Sequence, residues 1–225
     1  MDAVIKIGGS LAKDAAMLRR CCNRISEIGK KYSATVVPGG GMFADAVRQI
    51  DQQYRLSPEI SHRMAILGMD QFGLFLSQII PHSCATYLID DVMQLSKIAV
   101  VPIFLPSRLM FRENALEPSW NVTSDSITAY IASRLKANKV ILVTDVDGIF
   151  SSDPKRHPHA KLIPALSAAE LLHLTRRTSV DQFLPKLLLK IQLDCYVVNG
   201  AHPERIEAIL DGQDTVCTLV KSQNK

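Results

Sequence analysis

No apolar run in this chain approaches the ~18 residues that a membrane-spanning helix needs. The first such run, AVIKI, starts at residue 3 and is too short for the core of a signal peptide. A cytoplasmic protein without membrane partners is therefore expected. The five cysteines (Cys21, Cys22, Cys84, Cys195 and Cys217) are odd in number and show no Cys-x-x-Cys spacing. That argues against a disulfide framework or a thiolate zinc site and for free or buried thiols in a reducing compartment. Charge of one sign is not in excess: 26 Lys and Arg against 22 Asp and Glu leave a formal net charge of +4. This is too small and too scattered for a nucleic-acid binder, but it suits an anionic small molecule. Internal repeats and low-complexity segments are missing. No cluster of Asp, Glu and His reads as an all-protein metal cage. The familiar phosphate-loop pattern is missing too. GGSLAK (8–13) lacks its Gly-Lys-Ser/Thr ending, and GGGMFA (39–44) lacks a third spaced glycine.

What is present is a chain long enough for a large core, with 225 residues of which 47% are hydrophobic. Short Val- and Ile-rich runs, bounded by Gly, Pro or Asp, read as strands: 3–7, 34–37, 98–105, 140–144 and 195–198. Their apolar residues are continuous, as in strands buried on both faces. Helical spacing lies between them, at Leu18, Cys22, Ile25 and Ile28 and again at Ile127, Tyr130, Ile131 and Leu135. NGAHPERIEAILDG (199–212) reads as a turn, a proline-started helix and a terminal glycine. Residues 148–163, polar and holding Pro154 and Pro158, read as a hairpin or flap. The tail KSQNK (221–225) is expected to fray. Alternating strands and helices without a linker predict one α/β domain over 1–225, a three-layer αβα sandwich with a largely parallel central sheet.

Both glycine clusters follow strands, where α/β sheets collect ligands. Gly8 and Gly9, then Gly39, Gly40 and Gly41, would let phosphate oxygens reach backbone N–H groups, and a helix after each cluster would add its dipole. The plain alternative is two tight turns. Lys6 interrupts an apolar strand, where a charge is costly unless it meets an anion. It either reaches past the strand end toward a phosphate or lies on an edge strand facing water. In SWNVTSDS (119–126), Asn121 offers an amide and Asp125 a carboxylate that could orient lysines around a phosphoryl group. Alternatively, Ser124 or Asp125 simply caps the helix. Thr144, Asp145, Asp147 and Gly148 crowd another strand end or form an ordinary Asp-Gly turn.

In order, KIGGS, PGGG, NVTSD, TDVDGI and a late PK resemble the amino acid kinase family over nearly the whole chain. The resemblance implies ATP-dependent phosphorylation of a carboxylate, carbamate or phosphate. It implies that Lys6, Gly8, Gly9 and Ser10 hold the transferring phosphates, with Gly39, Gly40 and Gly41 beside the acceptor. Asp125 would organise two catalytic lysines. The second is Lys186, although Lys190, one helical turn on, also fits the spacing. Thr144, Asp145, Asp147, Gly148, Phe150 and the following flap would bind adenosine. Residues up to about 135 would then serve the acceptor, and residues from about 136 the nucleotide. Further stretches (SPEISHRMAILGMD, LPSR, TSVD and VVNGAHPERI) resemble a compact subgroup serving methanofuran-type one-carbon cofactor biosynthesis. The subgroup's acceptor is a phosphate monoester and its product a diphosphate.

Such an acceptor is already ionised near neutral pH, since a second phosphate pKa lies at about 6. No general base is needed. The obstacle is repulsion between two anions, which lysines, glycine N–H groups and Mg²⁺ carried by ATP would offset. For the acceptor's phosphate, His62 and Arg63 are candidates, and Asn121 is a further substrate-binding candidate. For an amine, Asp70 is the candidate. Met64 and Met69 read as core or subunit contact, and a homo-oligomer, through the helix of 57–78, is implied by the resemblance. Two alternatives remain: another acceptor on the same fold (an N-acyl amino acid, UMP or isopentenyl phosphate), or a nucleotide-binding storage or regulatory protein without activity.

Overall fold

The computed structural model describes residues 1–174 and 178–222. The tail is therefore described only as far as Ser222, and what was expected of its last three residues lies outside the described residues. In chain order the first elements are β1 (Ala3–Ile7), α1 (Ala15–Lys31), β2 (Ala34–Pro38), α2 (Gly41–Tyr54) and α3 (Pro58–Ile79). There follow β3 (Ser83–Thr86), α4 (Ile89–Lys97), β4 (Val101–Phe104), α5 (Ser107–Glu113) and α6 (Ser124–Arg134). Then come β5 (Val140–Thr144), β6 (Ile149–Phe150), β7 (Leu162–Ile163), β8 (Ala165–Ser167) and α7 (Ala168–Leu172). The chain closes with α8 (Leu184–Ile191), β9 (Cys195–Asn199), α9 (Glu204–Leu210) and β10 (Thr218–Lys221).

Eight strands form one sheet in the order β3-β4-β2-β1-β5-β9-β10-β8. All neighbours run parallel except β9 and β10. The chain leaves β1 toward β2 on one side and returns to pair β5 on the other. This reversal of strand order opens a crevice at the carboxyl ends, where such sheets place ligands.

The five expected strands are present, although the run 98–105 yields only Val101–Phe104 because Lys97 and Ile98 end α4. The expected flap is the antiparallel pair β6–β7, with Ile149 opposite Ile163 and Phe150 opposite Leu162. Side-chain alternation along β1 divides the core. Val4 enters one cluster with residues of α3, α5, α6 and α8, and Ala3, Ile5 and Ile7 enter the other with α1 and α9. Lys6 shares the parity of Val4 and so faces α6. It sits on an interior strand, paired with Val37 on one side and Leu142 on the other, so the edge-strand alternative does not hold.

Candidate active site

The two glycine clusters meet. Gly39 N–H donates to the Ile7 carbonyl and Gly8 N–H to the Val143 carbonyl, each at 2.8 Å. A Cβ on Gly9 would lie 2.1 Å from the Gly41 Cα, so no side chain fits between the loops. Gly41 also has a φ of +54°, a region costly for residues with a Cβ. The two loops are thus bare because each is packed against the other's backbone.

Their helices differ from expectation. After the first cluster comes a short 3₁₀ turn (Gly9–Lys13), and α1 begins only after Asp14, whose carboxylate accepts from the N–H groups of Ala16 and Met17. The α1 terminus is therefore already capped by an acid and is not presented to a phosphate. The α2 terminus behaves as expected. It starts directly at Gly41, and its cap residue Gly40 brings no side-chain hydrogen bond.

Lys6 Nζ donates to Asp125 Oδ1 at 2.8 Å, with the two side chains only 12% and 9% exposed. The strand parity of Lys6 and the position of Asp125 in the first turn of α6 bring together residues 119 apart in sequence. Capping of α6 by Ser124 or Asp125 does not occur. Thr123 is the cap residue, and the Asp181 carboxylate accepts from the N–H groups of Thr123 (2.8 Å) and Ser126 (3.0 Å). Asp181 also accepts from the Ser126 hydroxyl and from the Leu184 N–H at the start of α8, and its own N–H donates to Asp125 Oδ2. Burial and the nearby Asp125 carboxylate push the Asp181 carboxyl above its ordinary value, against the pull of its donors. Asp181 stands in the TSVD stretch, but a lone Asp carries no sequence sign of a tie between two helix starts.

Lys6 lines one cavity and Asp125 a second, and a third runs along the flap. The first, of about 490 Å³, holds Lys6, both glycine loops and the inner faces of α2 and α3. The second, about 640 Å³, is lined by Asn121, Asp125, Asp181 and Pro185 among others, and it shares Arg48, Trp120 and Thr123 with the first. The third, also about 640 Å³, runs along the flap past Thr144, Asp145, Gly148 and Phe150. Lys13 borders both the first and the third.

The remaining expected residues divide between these places. Gly8, Gly9, Ser10, Gly40 and Gly41 line the first cavity. Asn121 lines the second, away from the glycine loops. Asp145 pairs with Lys155 of the flap, and Thr144 donates to it at 3.3 Å. Burial raises the Asp145 carboxyl, but the Lys155 ammonium, a backbone N–H and the Ser10 hydroxyl together outweigh this and hold it below the ordinary range. Asp147 does not line the cavities. It pairs with Arg205 and accepts from Asn199, and these partners overcome burial to hold its carboxyl low as well.

The acceptor assignments fare less well. Arg63 lines none of the three cavities; its guanidinium lies over the Phe111 ring at 5.3 Å. Asp70 is buried on α3, accepts from the Ser107 N–H at 3.2 Å, and burial raises its carboxyl, so it serves the α3–α5 contact instead of an amine. His62 does reach the first cavity, and burial lowers its pKa. Lys186 is exposed on the first turn of α8, 5.6 Å from the Phe183 ring, and neither it nor Lys190 lines these cavities. The residues overlooked in the sequence are Asp45, Arg48 and Trp120. Arg48 lies 4.3 Å over the Trp120 ring, whose Nε1–H donates to Asp51 at 2.7 Å.

A buried lysine–carboxylate pair where two glycine loops meet at the carboxyl edge of a parallel sheet describes a class of phosphate-handling α/β protein. The chain belongs to the amino acid kinase family, whose profile matches residues 1–189. It is similar to the [5-(aminomethyl)furan-3-yl]methyl phosphate kinase of Methanocaldococcus jannaschii, with 37% identity over 223 residues and 99% of each chain covered. It is 25% identical to a uridylate kinase of Methanococcoides burtonii, over 92% of this chain and 89% of that one. The crystal structure of the uridylate kinase from Archaeoglobus fulgidus shares the fold, with a TM-score of 0.77 at 24% identity, covering 98% of this chain and all of the other.

Proposed function

We propose that this kinase transfers the γ-phosphoryl group of ATP to a small phosphate monoester, namely [5-(aminomethyl)furan-3-yl]methyl phosphate, in one-carbon cofactor biosynthesis in the cytoplasm. The observation that carries the reading is the Lys6–Asp125 pair beside two bare glycine loops, in a chain 37% identical end to end to a kinase of that name. An acceptor phosphate oxygen attacks the γ-phosphorus, the bond from that phosphorus to the β–γ bridging oxygen breaks, and ADP leaves. No proton has to move above about pH 6. Lys6 meets the charge on the transferring group, and Asp125 holds the ammonium in place. The N–H groups of Gly9 and Ser10, and those opening α2, face the phosphates, while Gly8, its own N–H held by the Val143 carbonyl, shapes the loop. Thr144, Gly148, Phe150 and the flap hold adenosine. Lys186 supplies a second cation from the helix that Asp181 ties to α6.

Among the described residues no group of three His, Cys, Asp or Glu side chains could hold a metal ion. Magnesium therefore fits here as a partner of the nucleotide phosphates, where it would neutralise charge while keeping much of its water. Among the described residues no helix is long and apolar enough to cross a membrane. The exposed Ile60, Leu67 and Leu74 of α3, spaced by sevens on one stripe and joined by Phe75, support a homo-oligomer built on that helix.

Product analysis tests the proposal. Incubation with ATP and the furan phosphate should yield ADP and a diphosphate stable to neutral hydroxylamine. A hydroxamate recovered from the best substrate would mark a carboxylate acceptor instead. ATP hydrolysis independent of every phosphate acceptor would also sink the reading.

A further inference from the structure

The cavity between α2 and α3 carries one charge that a phosphate pocket should avoid. Lys6, Lys13 and Arg48 face it, as expected for a site receiving anions. Asp45 faces it too and is the single carboxylate among its described lining residues. The exposed Asp45 side chain has no hydrogen bond or ion pair among the described residues. The nearest helical candidate, Arg48 three residues on, is drawn aside over the Trp120 ring, which Asp51 fixes in turn. A free carboxylate beside incoming phosphates repels them, so an acceptor made of phosphate and hydrocarbon alone would bind better without it. The repulsion becomes attraction if the acceptor brings its own cation.

Position supports this. Asp45 lies four residues beyond Gly41, about 6 Å along the axis of α2 at 1.5 Å per residue. A phosphate at the bare α2 terminus thus has the carboxylate one helical turn away, comparable to the reach of a five-membered ring with a one-carbon arm at each end. Ala65, Ile66 and Met69 of α3, with Val122, give the same cavity an apolar lining. It suits a small flat ring.

We infer that Asp45 is the acceptor-specificity residue: it receives the ammonium group of an aminoalkyl phosphate and selects such acceptors over phosphates lacking an amine. The inference rests on the phosphate-acceptor reading above and replaces Asp70 in the role of amine partner.

The test compares the aminomethyl furan phosphate with its 5-methyl analogue, by kcat/KM at saturating Mg-ATP. The wild-type protein should favour the amine. In Asp45→Asn that preference should shrink by about 10- to 100-fold, as for loss of a charge-assisted contact, and Asp45→Glu should retain most of it. A preference unchanged in Asp45→Asn would overturn the inference, as would a wild-type protein indifferent to the amine. So would an Asp45→Asn protein that merely needs more Mg²⁺ for both acceptors alike, since that places a metal and not an ammonium at Asp45. Should the wild-type protein turn over neither furan, the furan assignment fails by itself. Calorimetric binding of phosphoethanolamine against ethyl phosphate, with wild type and Asp45→Asn, then decides about Asp45. A wild-type preference for the amine that Asp45→Asn abolishes would sustain the inference, and any other pattern would overturn it.

Discussion

Lys6 combines two roles that mutation can separate. Its ammonium faces the cavity, and it also neutralises a carboxylate that is nearly out of water. Lys6→Met should lower kcat by at least about 10²–10³, the scale of one oxyanion contact. It should also lower stability, because a buried charge left without its partner costs about 3–5 kcal/mol, and less where a cavity admits water. Lys6→Met with Asp125→Asn removes both charges and leaves an acceptor for the Asp181 N–H. The double variant should regain most of the lost Tm in thermal denaturation and stay inactive. Full activity in either variant would remove Lys6 from the chemistry. Two single variants test the choice of second lysine. Lys186→Met should lower kcat strongly and Lys190→Met little, since Lys186 lies on the turn of α8 next to the Asp181 anchor, whereas Lys190 lies in its last turn. A large fall confined to Lys190→Met would reverse the assignment.

At the scale of elements, the glycine loops separate steric contact from backbone strain. Gly9→Ala puts a methyl group 2.1 Å from the Gly41 Cα, which cannot yield without moving the start of α2. Gly41→Ala meets nothing closer than 3.5 Å but must hold a left-handed φ, at a cost of about 1–2 kcal/mol. Gly9→Ala should therefore lose far more turnover and stability than Gly41→Ala, as read by kcat and chemical denaturation. Equal effects would show that the loops do not depend on their contact. The sequence announced both loops and the flap, because glycine clusters and paired prolines are local signals. It did not announce which helix terminus stays open. Asp14 closes α1 with an ordinary cap, and only the pairing of Gly9 with Gly41 shows that α2 starts at the junction itself.

For the whole molecule, the apolar stripe of Ile60, Leu67 and Leu74 predicts self-association. Leu67→Asp with Leu74→Asp should shift the sedimentation coefficient toward that of a 24.9 kDa monomer, with the circular dichroism of the folded chain kept. A wild-type protein that sediments as a monomer would remove the oligomer from the reading.

The alternation of strands and helices, the five central strands, the flap and the glycine loops are all legible in the amino-acid order. Each follows from short-range patterning, whether apolar runs, turn residues or helical spacing. The sequence also places Lys6, Asp125 and the glycines in an order that resembles one family. Strands β3, β8 and β10 were not legible, because they are only three or four residues long and have weak apolar contrast. Tertiary structure alone decided that Lys6 lies in the sheet interior and turns toward α6, because parity has meaning only once the neighbouring layers are fixed. It also decided the parts played by the remaining acids: Asp181 became a tie between α6 and α8, Asp70 a core acceptor and Asp45 the carboxylate of the cavity. An isolated Asp looks the same in sequence wherever it falls, and its part depends on the donors and charges that distant segments bring to it.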